Sequence, residues 1–69
     1  MNTVDARGCA CPEPVMMTRE AMNENPNHIE VLVSETCAVE NITRFATNFG
    51  YRIEHQQEGE DTRLILTKK

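Results

Sequence analysis

A chain of 69 residues allows one domain, too small to wall a large active-site cleft, because it buries only about 60% of the surface its unfolded form exposes. Seven Lys+Arg against eleven Asp+Glu, a formal charge of −4 and an aromatic share of 4% with no Trp argue against nucleic-acid binding, which needs a basic patch or stacking platforms. No apolar run approaches the ~18 residues of a membrane span, Met1 to Arg7 lacks a basic-then-apolar leader, and three cysteines is an odd count for a secreted disulfide scaffold, so the cytoplasm is the expected location.

In chain order, Asn2 to Asp5 reads as a short strand. It runs into Asp5-Ala6-Arg7-Gly8-Cys9-Ala10-Cys11-Pro12-Glu13-Pro14, the stretch richest in chemistry. Pro12 suits the first position of a helix, where its fixed φ fits and its missing N–H would have been unpaired anyway. That puts Cys11 at the N-cap and Pro14 at N3, where it removes another orphan donor without breaking the helix. A thiol there faces the positive end of the helix dipole, which lowers a cysteine pKa from about 8.5 toward roughly 3.5–7.5. Arg7 adds positive charge and Glu13 opposes it. Cys is a poor cap compared with Ser, Thr, Asp or Asn, so a cysteine here suggests that the sulfur is wanted. The blander reading is a small buried hydrophobe at an ordinary helix start.

The first helix is expected from Pro12 to about Asn23. Val15, Met17, Ala21 and Met22 fall within an arc of about 160°, while Met16 projects beside Arg19, Glu20 and Asn23. Asn23 to Pro26 supplies turn formers and a breaker. His28 reads as a solvated loop residue. Ile29, Val31 and Val33 alternate with Glu30 and Leu32 as a half-buried strand. In the second helix, Ala38, Val39, Ile42, Phe45, Ala46 and Phe49 span about 120°, Thr36 or Cys37 stands where an N-cap is expected, and Gly50 suits C′. Tyr51, Ile53 and His55 alternate in a third strand, and Thr62 to Thr67 form a fourth. The polar loop Gln56 to Asp61, with Gly59 inside it, joins them as a hairpin. The expected fold is α+β: a two-layer β-α-β-α-β-β sandwich with two helices packed on one face of a four-stranded mixed sheet, strands one and two parallel.

Asp-x-Arg-Gly-x-x-Cys-Pro-x-Pro resembles the signature of the TusA/SirA-like sulfur-carrier family, with Asp5, Arg7, Gly8, Cys11, Pro12 and Pro14 at the family spacing. Val15-Met16-Met17 is also similar to TusA. Val39 to Ala46 is closer to the TusA-like domain of YedF-type proteins linked to selenium metabolism. The resemblance covers essentially residues 1–69 as one domain and implies the same fold. It implies that Cys11 accepts sulfane sulfur as a persulfide, supported by Asp5, Arg7, Gly8, Pro12, Glu13 and Pro14. It implies a protein donor, a cysteine desulfurase or a rhodanese-like protein, and a protein acceptor. A monomer is expected, with no direct contact to nucleic acid or membrane and no metal, flavin or nucleotide cofactor. TusA itself carries a basic residue just before the signature cysteine, where this chain has Ala10, which weakens the case for the same partner and for tRNA thiolation as the destination.

Two alternatives belong to other classes. One is a thiol-based redox or regulatory module in which Cys9 resolves an oxidised or persulfidated Cys11. The other is an accessory domain of selenium metabolism. Cys37 reads either as incidental or as a second low-pKa thiol at a helix start. Zinc fits poorly: one Cys-x-Cys with scattered His28 and His55 lacks the paired spacing of a structural site.

Overall fold

Period-2 and period-3.6 stretches alternate along the chain and form β1 (Asn2–Ala6), α1 (Glu13–Met22), β2 (His28–Val33), α2 (Thr36–Asn48), β3 (Tyr51–Glu58) and β4 (Asp61–Lys68). The structure is a computed structural model that describes residues 2–10 and 13–69. Cys11 and Pro12 lie outside the described residues, and with them the expected N-cap and first helical position. The architecture is the expected α+β one, two helices against a four-stranded mixed sheet.

The sheet order is β1-β2-β4-β3. β1 runs parallel to β2, with Val4 opposite Val31 and Ala6 opposite Val33. β4 lies antiparallel between β2 and β3, pairing Leu64 with Val31 on one side and His55 on the other. The alternation in β2 puts Ile29, Val31 and Val33 inward, where they meet Leu64 and Leu66 of β4 and Ala38, Ile42 and Ala46 of α2, all fully buried. The other sheet face carries charge: Arg63 bridges Glu58 and Glu30, and His28 contacts Glu30 at 3.3 Å. His28 is thus the first, half-buried residue of β2 rather than a solvated loop residue. No helix among the described residues is long and apolar enough to cross a membrane.

α1 buries Pro14, Thr18 and Met22, with Val15, Met17 and Ala21 partly buried at the flanks. The apolar arc seen in the sequence was therefore correctly aimed, but its centre is filled by a proline and a threonine. Thr18 is tolerated there because its hydroxyl donates to the Pro14 carbonyl at 2.9 Å, which leaves no polar atom unpaired.

Three boundaries differ from the sequence reading. α2 is capped by Glu35, not by Thr36 or Cys37: the Glu35 carbonyl already accepts from the Ala38 and Val39 N–H groups at 3.1 and 3.3 Å. Phe49 is not on the inward face. It is the C-cap, 59% exposed, with its ring 4.5 Å from that of Phe45, because the chain leaves helical dihedrals there and turns at Gly50, whose φ is +85° as a C′ glycine requires. Finally, the loop expected over Gln56–Asp61 shrinks to the two-residue turn Gly59–Glu60. Gly59, at φ +63°, supplies the positive dihedral that a tight hairpin needs, so the polar residues before it continue the strand.

Candidate functional site

Register places three connections at one edge of the sheet. Ala6 lies opposite Val33, Val33 opposite Thr62, and Thr62 opposite Gln57. The β1–α1 loop, the β2–α2 loop and the tip of the β3–β4 hairpin therefore share the carboxyl end of the parallel pair, which is where open α/β sheets generally carry their sites.

The β1–α1 loop starts as a tight turn. Cys9 N–H donates to Ala6 O at 3.2 Å, and Gly8, third in that turn, has φ +81°. A type II turn demands this positive dihedral, which explains the glycine. A Cβ at Gly8 would meet nothing within 4 Å, so the constraint is backbone conformation and not space. Upstream, Asp5 and Arg7 form a clasp: Arg7 Nε and Nη2 donate to the two Asp5 carboxylate oxygens at 2.9 and 2.8 Å, and Arg7 N–H donates to Asp5 Oδ1 at 3.2 Å. The clasp lies in the open, both side chains being about half exposed.

The Arg7 hydrogen bonds hold the Asp5 carboxyl down at about 2, below its ordinary 3.8. A depressed carboxylate adds stability that is present above its unfolded pKa and lost as pH falls through its folded one. The stability it adds is therefore expected to decline below about pH 4, and the clasp itself to open as pH falls through about 2. An NMR titration of the Asp5 carboxyl carbon should give a midpoint near 2; a midpoint near 4 would mean that the clasp is absent in solution.

The other expected site residues fall around this turn. Glu13 opens α1, exposed, its N–H donating to Ala10 O at 2.9 Å. Pro14 is buried beneath the first turn. Cys9 is a free, half-buried thiol packed against the core. Burial raises its pKa, and the charge and hydrogen bonding of Glu13 raise it further, so near neutral pH it stays protonated. A resolving role for Cys9 would go through its thiolate, the form that both causes disfavour. Cys37 is exposed in the first turn of α2, with its Sγ 3.5 Å from Glu35 Oε1. His55 is exposed, with Nε2 3.3 Å from Thr43 Oγ1. Thus His28 and His55 contact Glu30 and Thr43 respectively, residues on different elements.

Met16 is 62% exposed on the outer face of α1, with Arg19 and Glu20 exposed alongside it. Between α1 and the free edge of β1 runs a shallow groove lined by Thr3, Val4, Asp5, Met17 and Glu20. One participant escaped the sequence reading. Ser34, just past the end of β2, accepts a hydrogen bond from Gly8 N–H at 3.0 Å. Nothing in its local pattern marks it, because the contact depends on β1 and β2 being neighbours.

The family model described as sulfurtransferase TusA matches residues 2–68, and this chain belongs to that family. It is 38% identical, over its whole length and 95% of the relative's, to a protein of Methanocaldococcus jannaschii named provisionally as a sulfur carrier protein. It is 29% identical to the sulfur carrier protein TusA of Pseudomonas syringae pv. tomato, covering 96% of this chain and 81% of that one. Among solved structures, the SirA-like protein of Desulfitobacterium hafniense superposes with a TM-score of 0.88 at 27% identity, covering 97% of this chain and 96% of that one.

Proposed function

We propose that this chain is a sulfur carrier that takes up sulfane sulfur as a persulfide on Cys11 and relays it to an acceptor protein. The observation that carries the reading is the signature segment itself. Its Asp5-x-Arg7-Gly8 half forms a clasped, exposed turn at the sheet edge, leading directly toward Cys11 in a chain of the TusA family. The naming of the Pseudomonas relatives as sulfur carriers supports it.

The chemistry is group transfer without net oxidation. The Cys11 thiolate attacks the outer sulfur of a donor persulfide, the donor's S–S bond breaks, and the donor leaves as a thiolate. An acceptor thiolate then attacks the outer sulfur on Cys11, and Cys11 leaves as the thiolate that began the cycle. At the N-cap position that the sequence predicts for Cys11, the helix dipole would favour the anion at both stages. The donor is a cysteine desulfurase or a rhodanese-like protein, as the family resemblance implies.

Intact-mass analysis of the reduced, desalted chain tests this. After incubation with a sulfane-sulfur donor, a gain of one sulfur that reductant removes is expected, located on Cys11 by peptide mapping. A loss of two hydrogens in place of that gain would move the protein to disulfide-based redox chemistry.

A carrier must meet a donor and an acceptor in turn, so its docking surface lies around the thiol rather than in a deep pocket. The strip Met16, Arg19 and Glu20, with the loop Arg7–Ala10, is that surface. Met16→Glu is expected to slow transfer from a protein donor while leaving loading by small-molecule polysulfide unchanged, because it alters protein contacts and not the thiolate. Stability should change by no more than about 0.5 kcal/mol at this exposed site. Equal slowing of both reactions would place Met16 outside the docking surface.

A further inference from the structure

The local contacts of the β1–α1 turn come from within the turn itself: the Asp5–Arg7 clasp and the Cys9 N–H to Ala6 O bond join residues two or three apart. Such contacts shape the turn, which the pairing of β1 with β2 and the packing of Cys9 against the core locate at its two ends. Among the described residues, one side-chain hydrogen bond joins the turn to a different part of the chain: Gly8 N–H donates to Ser34 Oγ at 3.0 Å, across 26 residues of sequence. Ser34 has no competing duty at the start of α2. The N-cap is Glu35, which makes no side-chain capping bond, and Ser34 stands outside the helix. Its hydroxyl reaches sideways, from the end of β2 to the end of its parallel neighbour β1.

We infer that Ser34 is a positioning residue for sulfur transfer. It anchors the turn that leads to Cys11 against the β2–α2 connection, so that the signature segment meets a protein partner in a fixed orientation. This rests on the sulfur-carrier reading above. The donor is the backbone N–H of Gly8, at the position whose positive φ sets the turn. Holding that amide therefore holds the turn's orientation as well as its place. Both residues are exposed, so the contact does little for the core and its loss leaves the fold intact. Orientation matters most when two protein surfaces must align a thiolate with an outer sulfur, and least for a small reagent that approaches from any side.

Ser34→Ala removes the acceptor, and Ser34→Thr keeps a hydroxyl at the same place. Three rates are measured for the reduced wild type and each variant: sulfur transfer from a persulfidated cysteine desulfurase, loading by inorganic polysulfide, and alkylation of Cys11 by iodoacetamide at pH 7. Hydrogen exchange at the Gly8 amide reports the tether directly. Ser34→Ala is expected to slow protein-donor transfer about three- to tenfold, as loss of one orienting hydrogen bond would. The two small-molecule reactions should change less than twofold by the same reasoning, Gly8 should exchange faster, and Ser34→Thr should restore both protein transfer and protection. Wild-type transfer in Ser34→Ala overturns the inference, as does equal slowing of all three reactions, which would be a general structural effect. Failure of Ser34→Thr to restore transfer also overturns it. A wild-type chain that takes no sulfur from protein or polysulfide overturns the carrier reading itself, a result distinct from any of these.

Discussion

Replacing Cys11 with serine is expected to abolish sulfur loading while leaving the fold unchanged. The exchange swaps a polarisable thiolate for a hydroxyl that stays protonated at neutral pH and forms no persulfide. Serine is the better N-cap of the two, so the helix start expected at this position should tolerate it. The remaining cysteines do not replace Cys11. Cys9 is half-buried and its thiol is pushed up by burial and by Glu13, and Cys37 stands on the other helix. Cys9→Ser and Cys37→Ser should accordingly load nearly as well as wild type. The check is intact mass after incubation with a sulfane-sulfur donor, with thermal melts run in parallel. Full loading of Cys11→Ser would end the proposed role of this residue, and a collapsed melt would mean that its sulfur has a structural duty.

How much was legible in the sequence depended on whether one element alone carried the signal. α2 was plain, because Ala38, Ile42 and Ala46 repeat at helical spacing and are all fully buried. α1 was legible as a helix but its central inward residue was not, because Thr18 is polar by type and its burial depends on a bond to its own helix backbone. The hairpin was seen and its length misjudged. Gln56 and Gln57 look like loop, yet they pair with Arg63 and Thr62, since a strand at the sheet edge needs no apolar side chain facing out. Phe49 followed the apolar period one residue too far, past the point where Gly50 turns the chain. The signature around Asp5, Arg7 and Gly8 was readable because its contacts are local. Strand order and the Ser34 tether were not, because both arise from which strands become neighbours. The position of Cys9 beside Cys11 suggested a resolving pair. Only packing reveals that its thiol is half-buried against the core with Glu13 nearby.

Ile42→Ala is expected to be the most destabilising single change considered. Ile42 is fully buried at the middle of α2, inside the cluster that holds Ile29, Val31, Val33, Leu64 and Leu66. Truncating a core isoleucine costs about 2–5 kcal/mol, from lost transfer energy and the cavity left behind. At roughly 0.05–0.15 kcal/mol per residue, a chain this short has only about 3–10 kcal/mol in total. The variant should lose a large part of its urea midpoint, whereas Thr47→Ala, on the exposed side of the same helix, should move it little. The functional consequence differs from that of Met16→Glu or Ser34→Ala. Polysulfide needs only an accessible thiol, so loading of Cys11 should survive even in a partly unfolded population. Transfer from a protein donor needs the assembled edge of β1, β2 and the hairpin, and should fall in step with the folded fraction. Cys9, no longer sheltered by the core, should then alkylate faster than in wild type. An unchanged urea midpoint would show that α2 does not depend on this side chain. Full protein-donor transfer by a largely unfolded variant would show that the signature segment alone, without the sheet edge beneath it, is enough for recognition.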